Sequence, residues 1–196
     1  MSTAQKVMGW TILGIVAFSA LNQWLFEAVL NGLAPGSGMS GAAEMLVLDL
    51  PNNLPYLLTP YLIAQPVVLI FWAFRSPRVV GDAQLGTAAR SLSGWLRWSL
   101  LILAIYIAAG ALSFLSKQLL TVPLMLLLPV FGWAYTCSIY RALQLHKYLE
   151  QKGLSKTRTH YMALGAALPS MAIPLWPLGL LIPGIVWRRF RAQEAL

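Results

Sequence analysis

Residues 161–187 read YMALGAALPSMAIPLWPLGLLIPGIVW, without one charged side chain. The stretch is longer than the roughly 20 apolar residues a helix needs to cross a bilayer. It also holds Pro169, Pro174, Pro177 and Pro183, with Gly165, Gly179 and Gly184 among them. Each interior proline removes a helix hydrogen bond and clashes with the carbonyl one turn back, so a single smooth helix is not expected. Arg188, Arg189 and Arg191 follow at once. Two shapes remain. A kinked span carries those arginines across a membrane; a re-entrant hairpin returns them to the side from which the stretch set out. The second needs protein or water around its turn, because non-helical backbone is not tolerated in bare lipid.

The rest of the chain has the same character. Hydrophobic residues make up 58% and charged residues 10% of the 196, whereas soluble domains average about 25% charged. The expected class is therefore an all-α integral membrane protein, a single polytopic domain over 1–196. It has four transmembrane helices at about 7–30, 55–74, 100–115 and 119–140, plus the fifth, proline-broken hydrophobic segment at 161–187, as a re-entrant hairpin or kinked span. The first apolar run lacks a good small-x-small cleavage site and reads as an uncleaved span rather than a signal peptide.

Between the spans lie three loops. The first, 31–54, opens on Gly/Ser/Pro turn material, contains a possible surface helix at 42–50 with Glu44 and Asp49, and has no Lys or Arg. The second, 75–99, carries Arg75, Arg78, Arg90 and Arg97. Within it Leu85, Ala88, Leu92, Trp95 and Leu96 share one helical face with Arg90 and Arg97 turned away, the pattern of an interfacial helix leading into the third span. Ala104, Ala108, Gly110 and Ala111 give that span a small-residue packing face. Three residues, 116–118, join the third and fourth spans, which predicts a tight antiparallel pair. The fourth helix is expected to run on to about Lys152 through Ile139, Leu143, Leu145 and Leu149, with Gly153 as its stop.

The basic residues set the orientation. With the N-terminus in the cytoplasm, Lys6, Arg75, Arg78, Arg90, Arg97, Arg141, Lys147, Lys152, Lys156 and Arg158 face inward and Lys117 faces outward, as the positive-inside rule requires. A hairpin at 161–187 would add Arg188, Arg189 and Arg191 to the inner side. The net charge of +8 is thus assigned to topology and anionic lipid, not to nucleic acid. Arg75, Arg78, Arg90, Arg97, Arg188, Arg189 and Arg191 are the candidate contacts to lipid headgroups or a partner protein.

Polar residues inside the spans are few. Ser19, Gln23 and Glu27 share one face of the first span, and Asn22 lies near its middle; Gln65 lies at the middle of the second, one residue before Pro66. Asn22, Gln23, Glu27 and Gln65 are the candidate intramembrane polar sites. The simplest role for each is inter-helix hydrogen bonding, and a carbonyl freed by Pro66 is the expected partner of the Gln65 amide. Cys137, alone of its type, reads as a small buried side chain. His146 and His160 sit by the basic third loop and are expected to be solvated. No catalytic, metal-binding or cofactor signature is present, and no site of those kinds is assigned.

These features favour a non-catalytic accessory, assembly or regulatory subunit of a larger membrane complex, in a bacterial inner membrane. Its expected partners are membrane lipid and other subunits or copies of itself. The alternatives are a small transporter or channel for a neutral solute, using Asn22, Gln23 and Gln65, and a lipid-modifying enzyme at the outer interface near Glu27, Glu44 and Asp49.

Overall fold

A computed structural model describes residues 3, 5–14, 17, 21, 63–75, 78–113, 121–171 and 175–195. Among these the chain is all-helical, with no strand. We label its helices α1 (5–14), α2 (Ile63–Phe74), α3 (Asp82–Ser113), α4 (Thr121–Gln151), α5 (Thr159–Ser170) and α6 (Trp176–Glu194). One stretch of α3, Asp82–Ala109, with mean hydropathy 1.6, is long and apolar enough to cross a membrane among the described residues.

Helix α3 corrects the boundary expected at residue 99. The presumed interfacial helix and the third span form one uninterrupted helix of 32 residues. Its sequence explains why: no proline occurs in it, and Ala88, Leu92, Trp95, Ser99, Ile102, Tyr106 and Ala109 recur every three or four residues. Ala88, Leu92, Ser99, Ile102 and Ala109 are buried, and Trp95 and Tyr106 are partly buried. A single packed stripe thus runs its whole length. Arg90 and Arg97 point outward as expected. The small-residue face does not pack: Ala104, Ala108 and Ala111 are exposed, because the larger residues of the stripe take the contact.

Helices α3 and α4 are antiparallel. The Tyr148 hydroxyl donates to Asp82 Oδ1 at 2.8 Å, and further along the Trp95 and Trp133 rings lie 6.0 Å apart. Helix α4 extends through Ile139, Leu143, Leu145 and Leu149, all buried. It stops at Gly153, whose φ of 75° is left-handed. There Gly153 N–H donates to Glu150 O and Leu154 N–H to Leu149 O, each at 2.9 Å, the Schellman pattern that satisfies terminal carbonyls.

The stretch that opens the sequence reading, 161–187, folds as two helices side by side. The Trp176 indole donates to Ser170 O at 3.1 Å, and a Cβ on Gly165 would lie 3.5 Å from Ile182 Cδ1, so α6 returns antiparallel along α5. Pro177 falls at the start of α6, where a missing N–H costs little, and Pro169 lies in the last turn of α5, two residues before its C-cap, Met171. Both helices pack on α4. Trp176 stacks on Phe131, centroids 4.9 Å apart, and the Tyr135 hydroxyl donates to Ala166 O at 2.9 Å. Val186 and Phe190 share a second core cluster with Leu145 and Leu149. Helix α6 therefore climbs α4 in parallel, from Phe131 toward its C-terminus. The start of α1 meets α4 near the same end: Gln5 Oε1 accepts from Arg141 at 3.2 Å.

Apolar side chains are exposed on several helices outside the buried apolar core. Ile63, Val67, Phe71 and Phe74 line the exposed face of α2; Leu101, Ile105 and Leu112 are exposed on α3, Leu164 and Leu168 on α5, Leu178, Leu181 and Ile185 on α6. Several polar side chains are buried. Those of Ser99, Thr136, Ser138 and Ser170 donate to carbonyls of their own helices at 2.6–2.9 Å.

Candidate functional site

The described residues line an open cavity of about 1030 Å³ between α1, α2, the 78–81 connection, the start of α3 and α4. Its walls divide by chemistry. Arg75, Arg78 and Arg141 are among its lining residues, accompanied by Gln84, Thr87 and Gln144; Val67, Val68, Phe71 and Trp72 form the apolar side. No carboxylate lines it among the described residues.

Each cation has a local reason for its place. Arg75 ends the last turn of α2, its N–H donating to Phe71 O at 2.9 Å. Arg78 lies in extended chain, where its carbonyl accepts from Gln144 Nε2 at 3.4 Å. Arg141 is one turn beyond Cys137 on α4 and half-buried. It donates to Gln144 Oε1 at 2.7 Å and to Gln5 Oε1 at 3.2 Å, while its buried Nε has no hydrogen-bond partner among the described residues. Gln144 Nε2 also donates to the Tyr140 hydroxyl at 3.3 Å. Burial lowers the Arg141 guanidinium from its ordinary value. Neutral amides orient this charge without cancelling it, and the sole ion pair among the described residues, Arg191–Glu194 at 3.8 Å, is elsewhere and exposed. The arrangement is suited to holding an anion by charge-assisted hydrogen bonds.

The sequence-predicted residues divide three ways. Arg75 and Arg78 come together at the cavity. Arg90, Arg97, Arg188, Arg189 and Arg191 are exposed on α3 and α6; Arg90 Nε donates to Gly86 O at 3.3 Å, and Arg191 lies over the Trp187 ring at 5.9 Å. Asn22, Gln23 and Glu27 lie outside the described residues, as do Glu44, Asp49 and the possible surface helix at 42–50.

Gln65 lies in the first turn of α2 among the described residues. It is 0% exposed, and both side-chain amide atoms lack a hydrogen-bond partner among the described residues. The carbonyl one turn before Pro66 belongs to Leu62, outside the described residues, so the expected bond is not seen. His146 departs from its expected place. It is buried, not solvated: its ring meets Thr157 O, and Ser155 Oγ lies 3.2 Å from Nδ1. The histidine fastens the loop after Gly153 back onto α4. Cys137 is buried as expected.

Sequence reasoning counted Arg141 only as a topological charge and passed over Gln5 and Gln144. A signal was present: Cys137, Tyr140, Gln144 and Tyr148 recur at helical spacing, which puts Gln144 on the buried face beside Arg141. Compared with known proteins, the chain matches no protein-family description, no curated sequence and no solved structure.

Proposed function

We propose that this chain is a multi-pass protein of a bacterial inner membrane, N-terminus in the cytoplasm, acting as a non-catalytic accessory, assembly or regulatory subunit of a larger membrane complex. The observation that carries this reading is the α5–α6 hairpin. Helix α6 starts beside Phe131, on which Trp176 stacks, close to the middle of the 119–140 span. Met171 after α5 and Leu175 before α6 are exposed, and α6 begins without a side-chain cap. Helix termini at such depth cannot be left to lipid, because each unsatisfied backbone group costs several kcal/mol there. A neighbouring protein surface is the natural cover.

Two further features support a membrane setting. Apolar faces are exposed on α2, α3, α5 and α6, and buried hydroxyls bond within their own helices, as in lipid-embedded helices. The hairpin also returns Arg188, Arg189 and Arg191 toward the end of α4 that carries Lys147 and Lys152, in keeping with a thirteen-to-one division of the basic residues in which Lys117 stands apart.

Isolation of the tagged full chain in mild detergent, with mass spectrometry of whatever co-purifies, tests the proposal. A stoichiometric membrane partner is expected. Recovery of the chain only as a monomer or homo-oligomer would overturn the subunit assignment. A second reading, transport of a neutral solute, is favoured by the buried Gln65 amide, unpartnered among the described residues; it requires that Gln65→Leu abolish uptake without loss of protein.

A further inference from the structure

The geometry points to the cavity of Arg75, Arg78 and Arg141 as a binding site for one anionic phospholipid, the three guanidiniums holding its phosphate and the exposed face of α2 receiving its acyl chains. The inference rests on the membrane assignment above and adds a ligand to it.

Three observations converge. The cavity holds three cations and no carboxylate among the described residues. Its innermost cation, Arg141, is half-buried, fixed by Gln5 and Gln144, and has a buried Nε without a partner among the described residues. An uncompensated charge at that depth is costly, and an incoming anion would offset the cost. The third observation separates a lipid from a free anion. The apolar wall is continuous with surface: Val67 and Phe71, which line the cavity, are 57% and 55% exposed on α2 and lead toward Ile63. A free phosphate has no use for that track. An amphiphile places its phosphate among the arginines and its chains along Phe71, Val67 and Ile63. Arginine suits the first task because its planar fork bonds phosphate oxygens in pairs.

The test is a thermal-shift titration of the full chain in uncharged detergent with phosphatidylglycerol, phosphatidylcholine or inorganic phosphate. Phosphatidylglycerol should stabilise the protein at concentrations at least about tenfold below phosphatidylcholine, since each cation near an anionic headgroup contributes about 1 kcal/mol. Arg141→Gln should remove most of that preference. The double variant Arg75→Gln/Arg78→Gln, both changes at exposed positions, should weaken phosphatidylglycerol binding about fivefold per charge and guards against misfolding of the Arg141 variant. Lys156→Gln, an equal charge change on the far loop, should leave it intact. Equal response to the two lipids, or retention of the preference in the double variant, overturns the site. A shift from inorganic phosphate equal to that from phosphatidylglycerol overturns the lipid assignment. Flotation with phosphatidylcholine vesicles separates the two levels: wild-type protein that fails to insert refutes the membrane reading itself, whereas protein that inserts but shows no lipid preference refutes only the site.

Discussion

At Gly179 the backbone of α6 approaches the Tyr135 ring so closely that a Cβ would collide with its hydroxyl. Gly179→Ala should therefore destabilise the protein by about 1–3 kcal/mol, as overpacking does. Tyr135→Phe removes the worst of the clash and leaves the ring carbons close, so the double variant should lose less than the sum of the singles, measurable as a coupling in detergent unfolding. Gln65 makes the opposite case. Its amide is buried without a partner among the described residues, so Gln65→Leu should be neutral or stabilising by on the order of 1 kcal/mol in the same assay; a marked loss would show that the amide is satisfied after all. Both sites were half-legible. The sequence marked Gln65 as a polar group at mid-helix and Gly179 as small, but which atoms face them depends on helices distant in the chain. His146 was misread for the same reason: its partners, Ser155 and Thr157, lie beyond the turn at Gly153 and reach it only because that turn is tight.

Helix α3 shows what periodicity resolves and what composition obscures. The arginines at 90 and 97 suggested a loop, yet the stripe from Ala88 to Ala109 passes through them unbroken. Ser99→Pro, at the expected boundary, should cost about 3 kcal/mol or more, seen as lost helicity and lower thermal stability; two helices meeting there would tolerate it. The α5–α6 hairpin carries a topological prediction. In a Cys137→Ser background, Thr3→Cys and Ala192→Cys should react with a membrane-impermeant maleimide from the same side, the cytoplasmic one. A kinked single span would put them on opposite sides. Prolines and glycines announced that 161–187 breaks. They left its direction after the break open, and the contacts of Trp176 and Gly179 with α4 decide it.

For the molecule as a whole, the clearest expectation concerns solvent. Exposed apolar faces on four helices, together with a basic end, predict that the chain resists alkaline extraction and is released by detergent; release by alkali alone would contradict the bilayer setting. Composition already pointed this way, since hydrophobic content and charge spacing are properties of the chain itself and hold in any conformation. For that reason the sequence by itself determined the helical class, the extension of α4 to its glycine stop and the break within 161–187: each follows from local periodicity or local backbone chemistry. The tertiary structure alone decided that α6 turns back along α4 and that Arg75, Arg78 and Arg141 line one cavity. Those outcomes depend on contacts between residues up to 136 positions apart, as between Gln5 and Arg141, and no local pattern encodes which distant side chains will share a wall.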